Sequence, residues 1–396
     1  MKFPSDFIWG TATSAYQVEG NSTNTDWWEW EHNKKRGQKY PLEPSGLACD
    51  SYNRYEEDFD LCKELANNAV RLSVEWARIE PQPGKFDQKE LEHYKKVLTA
   101  AHERGLKTFV TLHHFTNPLW FSKKGGWINL KAPWYFARYA KVCAKELGPL
   151  TDAFLTINEP QCLALMSYTI GIWPPQKINL VLSLICQINL MRSHNKAYKA
   201  IKSVDNYTVG LVKNIVWWET YDKNPHFWDS WAAKFLYYLN SDFFIYPILK
   251  NLDILGFNYY FTNQVKNLKA VHPTGIVSNL NWWVNPEGLR NVLLYLKKYK
   301  VPVYITENGL ADSDDKLRKS FIKAMLIACQ EAMQQGAQLE GYFHWSLIDN
   351  FEWHEGYWPK FGLVAIDRKT LERKPRKSFY YYSEICHNNE VVSTEA

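Results

Sequence analysis

The sequence predicts an α/β chain closed as a single (β/α)8 TIM barrel, with its active site at the C-terminal ends of the strands. Short β-rich apolar runs alternate along the chain with amphipathic, charged stretches of helical period. Eight such runs can be counted, the number that closes a parallel sheet on itself and leaves no strand edge exposed. An open doubly wound sheet is the alternative, but no G-x-G-x-x-G follows the first run. The turn that such a sheet uses to hold a dinucleotide is therefore missing.

In chain order the runs are FIWGTATSAYQ, AVRLSVEW, KTFVTLHHF, AFLTINEP, YTVGLVKNIVWW, LDILGFNYY, VPVYITENG and EGYFHWSLID. Between them YNRYEEDFDLCKELA, QKELEHYKKVLTAAHERG, PWYFARYAKVCAKEL and DKLRKSFIKAMLIACQEAMQQG carry the helical pattern. The helix over Glu90–Arg104 stops at Gly105, and the last of the four passes from Gln335 into Gly336. Glycine leaves a helix in the left-handed turn that other residues resist. No Pro/Gly/Ser-rich linker, low-complexity tract or solenoid-like period divides the chain. One domain over residues 1–396 is expected, with a disordered tail after about residue 386.

Composition narrows the function. With 396 residues, 46% hydrophobic and 22% charged, the chain can bury a large core. The 47 Lys+Arg against 42 Asp+Glu are spread thinly and leave only +5, which argues against a nucleic-acid partner. No apolar run approaches the roughly 18 residues of a membrane span. The start MKFPSDFIWGTATSAYQ lacks the basic and apolar regions of a signal peptide, so a soluble, cytoplasmic protein with no membrane partner is expected. Seven cysteines, an odd number without a C-x-x-C pair, suit reduced thiols rather than disulfides or zinc. His113 and His114 are adjacent on a strand and point to opposite faces, which removes them as a metal pair. No metal or cofactor is implied. Aromatics make up 16% of the chain, with 18 Trp, in stretches such as TDWWEWE, IVWWET and NLNWWVN. Tryptophan faces stack on the C–H faces of sugars while the N–H reaches hydroxyls, so the excess hints at a carbohydrate ligand.

Catalytic groups of a barrel sit where its strands end, and the polar residues near those ends are Gln17, Arg71, His114, Asn158, Glu159, Asn258, Tyr260, Glu307 and Trp345. Two ends match closely. LTINEP places Glu159 after Asn158, and YITENG places Glu307 before an asparagine. Two carboxyls facing one another across the mouth are the apparatus of glycosidic bond cleavage: one stays ionised while the other, its pKa raised, protonates the leaving oxygen. Asn158 is placed to hydrogen-bond a sugar 2-hydroxyl and Tyr260 to hold Glu307.

The motifs FIWGTATSAYQVEG, TINEP, GFNYY, YITENG and WSLIDNFEW followed by GYWPKFGLVAID run in order from about Phe3 to Tyr382. They resemble those of glycoside hydrolase family 1, the retaining β-glucosidases and β-galactosidases. The resemblance implies that Glu159 is the acid/base and Glu307 the nucleophile of a double displacement through a glycosyl-enzyme. It also implies that Gln17 and Glu352 grip the 3-, 4- and 6-hydroxyls, with His114 and Trp353 on the 3-hydroxyl. Trp345 would form the stacking floor and Asn158 would hold the 2-hydroxyl, while Arg71, Asn258 and Tyr260 would form a polar shell near the nucleophile. The substrate implied is a small β-glycoside or short β-linked oligosaccharide with a terminal β-D-glucosyl, β-D-galactosyl or β-D-fucosyl residue. Transglycosylation on the same site, a 6-phospho-β-glycosidase and an inactive sugar-binding relative are the alternatives. A carboxylate at Glu352 would repel a 6-phosphate, and the following loop HEGYWPKFG offers Lys360 alone.

The chain departs from the family on the leaving-group side. Its 396 residues are fewer than most members have. The stretch Trp218 to Leu252 and the loops after GIWPPQ and after the seventh strand read as trimmed, so an open aglycone side is expected. Gln161 stands where an aromatic platform is common, and Phe115 where tryptophan is frequent.

Overall fold

In the computed structural model, which describes residues 2–33, 43–271 and 275–391, each of the eight runs supplies one barrel strand. They are β1 (Ile8–Ala12), β2 (Ala69–Ser73), β3 (Lys107–Thr111), β4 (Ala153–Asn158), β5 (Val209–Asn214), β6 (Ile254–Asn258), β7 (Val303–Asn308) and β8 (Leu339–Trp345). Every strand pairs in parallel with its sequence neighbours, and β1 pairs with both β2 and β8 to close the barrel. Parallel strands need crossovers, and each crossover carries a helix that covers the outer face of the sheet.

Burial on both faces explains why the runs are apolar throughout rather than alternating. In β3 the Phe109 ring joins the barrel interior beside Leu155, Val212 and Phe343, whereas Val110 joins the layer between sheet and helices. The four helices read from sequence lie at Ser51–Glu64, Gln88–Glu103, Ala132–Leu147 and Arg318–Gln334. Helices Leu180–Lys202, Phe227–Asn240, Pro286–Leu296 and Lys377–Asn388 complete the ring. Asp87 caps one of them by accepting from Lys89 N at 2.8 Å. Gly105 and Gly336 end their helices with φ of 77° and 85°, the left-handed stop that the sequence reading expected.

Several boundaries differ from the sequence reading. YTVGLVKNIVWW is not one strand: β5 stops at Asn214, and Trp217–Thr220 belongs to a separate three-stranded sheet with Thr262–Lys266 and Lys269–Val271. FIWGTATSAYQ leaves the sheet at Ala12 and turns into a short helix, Ala15–Val18, so Gln17 sits on that turn and not on a strand end. The chain is ordered past residue 386, where a disordered tail was expected. The last helix continues to Asn388, and the Asn389 amide donates to Phe3 O at 2.8 Å and Pro4 O at 2.9 Å. Residues 392–396 lie outside those described.

Both glutamate strands lose their regular register just before the carboxylate. The pairing of β4 with β5 shifts between Leu155 and Asn158, and that of β7 with β6 shifts between Ile305 and Glu307. Such bulges re-aim side chains at the rim of a sheet. Gly309, just beyond, is fixed by the close approach of β8, since a Cβ there would collide with the carbonyl oxygen of Trp345. Gly309→Ala is therefore expected to destabilise by about 3 kcal/mol or more. Gly105→Ala, whose Cβ would meet nothing, should cost only the left-handed penalty of about 1–2 kcal/mol. Urea denaturation of the two variants checks this ordering, and equal losses would refute it.

Candidate active site

A cavity of about 810 Å³ opens at the C-terminal ends of the strands, with Gln17, His114, Asn158, Glu159, Tyr260, Glu307, Trp345, Glu352 and Trp353 in its wall. Nine of the eleven residues singled out from sequence thus meet in one place. The other two, Arg71 and Asn258, are fully buried and do not line the cavity. They reach the carboxylates from behind, as supports rather than as surfaces offered to a ligand.

Glu307 ends β7 with both carboxylate oxygens engaged. Arg71 Nη1 donates to Oε1 in a short ion pair, and the Tyr260 hydroxyl donates to Oε2 at 2.6 Å. Arg71 is itself held by Thr111 Oγ1 at 3.2 Å, the Thr306 carbonyl at 3.2 Å and Asn158 Oδ1 at 2.7 Å. Its guanidinium therefore links β2 to β3, β4 and β7.

Glu159 follows β4 in the left-handed region, φ 42° and ψ 58°, at the corner where the strand turns into the short helix that begins at Pro160. Its Oε1 accepts from Asn258 Nδ2 at 2.7 Å and from Asn214 Nδ2 at 3.1 Å. Asn258 was expected near Glu307; it is the Cα partner of Glu307 across β6 and β7, and its amide bonds to Glu159 and Asn158. Burial disfavours the charged form of Glu159, the field of Glu307 adds to this, and the two amide donors only partly oppose them. The carboxyl pKa is pushed up to about 7.

A third carboxyl, Glu352, lies on the same wall and accepts from Gln17 Nε2 at 3.4 Å. Burial first, then Glu307 and Glu159, push its pKa up to about 8. Gln17 is fixed by Ser14, Asn350 and the Phe351 carbonyl. His114 is sandwiched between Trp345 and Trp353, with ring centroids 6.1 Å and 5.9 Å away and planes within 19° and 14°. His113 turns the other way and packs edge-on to Trp127, as strand alternation requires. Of the tryptophan-rich stretches, Trp218 and Trp282 reach the cavity, while Trp27 is buried against Trp353 at 4.8 Å.

Sequence reading missed two polar groups here. Asn214 bonds to Glu159, and the fully buried Lys213 beside it donates a short hydrogen bond to Gln161 Oε1. Burial lowers the Lys213 pKa to about 7 against the opposing pull of Glu159. Both residues sit in an apolar-looking run, and the only signal was a Lys-Asn pair where that strand ends.

Among the described residues no group of three or more His, Cys, Asp or Glu is arranged to hold a metal ion. No described helix is long and apolar enough to cross a membrane. All seven cysteines are unpaired.

Known proteins match along nearly the whole length. β-Glucosidase A of Thermotoga maritima is 31% identical over 445 aligned positions, covering 98% of each chain. An alignment that long over a 396-residue chain needs gaps in this sequence, as shortened loops demand. The solved β-glycosidase from Pyrococcus horikoshii superposes with a TM-score of 0.91 at 33% identity, covering 99% of this chain and 96% of that one. The β-glucosidase from Thermotoga maritima in complex with glucoimidazole gives 0.92 at 30% identity over 98% and 99%. The model of glycosyl hydrolase family 1 matches residues 1–252 and 246–391. The buried carboxyl pair thus stands in a known setting: this chain belongs to glycosyl hydrolase family 1.

Proposed function

We propose that the protein is a retaining exo-β-glycosidase that hydrolyses terminal non-reducing β-D-glucosyl residues, with β-D-galactosyl and β-D-fucosyl residues as further substrates. The observation that carries the reading is the different treatment of two carboxyls in one cavity. Glu307 is bonded by a guanidinium and a phenol, and Glu159 is left with two neutral amide donors and a raised pKa.

Glu159 protonates the glycosidic oxygen as the carboxylate of Glu307 attacks the anomeric carbon from the opposite face. The C–O bond to the aglycone breaks, the aglycone leaves as the alcohol, and a glycosyl ester forms on Glu307. Glu159, now ionised, takes a proton from water. That water attacks the anomeric carbon, Glu307 is released, and the sugar departs with its β configuration retained. Asn158 holds the 2-hydroxyl, Trp345 stacks beneath the ring, and Gln17, His114, Glu352 and Trp353 bind the remaining hydroxyls. Arg71, Asn258 and Tyr260 position the two carboxyls. The unpaired thiols, six of them buried, suit a reducing compartment, and we place the enzyme in the cytoplasm.

Four carboxyls, Glu159, Glu307, Glu352 and Glu355, line the cavity, and no Lys or Arg does. A sugar 6-phosphate would find no cation in that wall to pair with. 4-Nitrophenyl β-D-glucoside is expected to be cleaved at least about 100-fold more efficiently than its 6-phosphate, and the reverse preference would sink the reading.

Glu307→Gln should lose at least about 10³-fold of kcat, and the wild-type sugar should appear first as the β-anomer by NMR. Glu159→Gln should lose much more on a disaccharide than on an activated aryl glycoside, because only the poor leaving group needs the proton. Equal losses would argue against Glu159 as the acid.

The alkaline limb of kcat/KM is expected near pH 7, where Glu159 loses its proton. Asn258 donates to the ionised form and holds that pKa down, so Asn258→Ala should raise it and move the limb to higher pH. A limb that stays in place or moves to lower pH would show that another group sets it.

A further inference from the structure

The cavity wall changes character from one end to the other. Around the glutamates it is polar, but around Gln161 and the two helices bonded to it the wall includes Leu165, Met166, Leu184, Leu236, Leu239 and Phe243. Gln161 and Asn240, two of the polar side chains at that end, are already engaged. Gln161 donates to Gln187 Oε1 at 3.1 Å and to the Leu239 carbonyl at 2.7 Å, while its own oxygen accepts from Lys213. Asn240 accepts from Val216 N and donates to the Asn214 carbonyl. A second sugar seated there would find Gln161 and Asn240 largely spent on protein partners, with the Gln187 amide nitrogen beside a mainly apolar wall.

Two helices flank this end, tied together through Gln161, and both turn apolar side chains outward. The helix Phe227–Asn240 buries Asp229, Ala233 and Tyr237 and leaves Phe227, Trp231, Phe235 and Leu239 exposed. These four stand one helical step apart, at i, i+4, i+8 and i+12, and form a continuous ridge of about 18 Å. Trp231 and Phe235 stack at 5.0 Å and 9°. The ridge starts inside the cavity wall at Leu239, and exposure climbs from 37% there to 72% at Phe227. Across the mouth, Leu180, Leu184 and Ile188 of the helix Leu180–Lys202 repeat the pattern, with Leu184 in the wall and Leu180 73% exposed. Surface helices normally turn such a stripe inward, and a contiguous exposed one marks a binding surface.

We propose that the leaving group this enzyme is built for is a long apolar chain, as in an alkyl or lipid-like β-glycoside. The chain leaves the cavity past Leu184 and Leu239 and lies along the Phe227–Trp231–Phe235 ridge. The proposal rests on the β-glycosidase reading and adds the chemistry of the aglycone. Continuity decides for a substrate chain over a second protein copy: the ridge begins in the wall of the cavity itself, and a copy seated on it would close the mouth through which the aglycone must pass.

The test is glucose release from hexyl, octyl, decyl and dodecyl β-D-glucoside, each below its aggregation concentration, beside cellobiose and 4-nitrophenyl β-D-glucoside. KM is expected to fall up to about tenfold for every two methylenes added, with kcat within about twofold, and dodecyl glucoside should surpass cellobiose in kcat/KM. In Trp231→Ser/Phe235→Ser, both changes on the surface, the dependence on chain length should flatten for decyl and dodecyl and persist for hexyl. Cleavage of 4-nitrophenyl β-D-glucoside without any gain along the alkyl series would overturn the proposal and leave the glycosidase reading standing. No cleavage of any glucoside would strike that reading first. A wild-type dimer in sedimentation that the double variant dissociates would assign the ridge to a second copy and overturn the proposal as well.

Discussion

The guanidinium of Arg71 has no exposed surface, and a charge taken wholly out of water persists only where partners surround it. Here the partners come from three other strands: Thr111 from β3, Asn158 from β4, and Glu307 with the Thr306 carbonyl from β7. Closing the barrel brings these elements together, and the ion pair then fixes the geometry of the mouth. Asn158, held at its oxygen by Arg71 and Asn258, keeps its amide nitrogen beside His114 Nε2 at 3.2 Å. Glu307, Asn158 and His114 are thereby positioned by one buried cation.

The same cation separates the two glutamates. Arg71 reaches Glu307 and not Glu159, and that asymmetry between two buried carboxyls favours a single carboxylate with a proton left on its neighbour. Glu352 shares the effect: burial first, then the fields of Glu307 and Glu159, push its pKa up to about 8. Lys213 does not cancel it, because its ammonium is turned to Gln161 and burial lowers its own pKa to about 7.

Much of this was legible because strand ends in a closed barrel have one purpose. TINEP and YITENG pointed to the two glutamates that meet in one cavity, the glycine stops at Gly105 and Gly336 marked helix ends, and strand alternation separated His113 from His114. What was hidden lay where composition misleads. NIVWW reads as the end of an apolar strand, yet β5 breaks after Asn214, and that break lets Asn214 and Lys213 serve Glu159 and Gln161. The stretch FWDSWAAKFLYYLN has the period of a helix, but period alone does not say which face turns inward. A short buried face of Asp229, Ala233 and Tyr237 leaves the aromatic face outside, against every expectation from hydrophobicity. The register shifts before Glu159 and Glu307 have no sequence signature, because a bulge is a property of two strands and not of one.

Three non-glycine residues around the cavity adopt the left-handed backbone: Glu159, Phe115 and Trp353, with φ of 42°, 72° and 53°. Each costs of order 1–3 kcal/mol, so the surroundings must over-determine it. For Phe115 and Trp353 the support is aromatic. Phe115 packs against Trp173 at 4.8 Å and Trp353 at 5.1 Å, and Trp353 stacks on Tyr16 at 6.0 Å as well as on His114. Phe115 differs from the tryptophan frequent at its position, yet it keeps the same layer filled with a smaller ring, and the sugar side is left intact. For Glu159 the support is Pro160, whose fixed φ starts the next helix at once, together with the two asparagines that hold the carboxyl. The aromatic layer and the asparagine pair therefore preserve the sugar end under strain. The apolar end of the wall is held separately, by Gln161 and Asn240, and meets the carboxyl pair through Asn214.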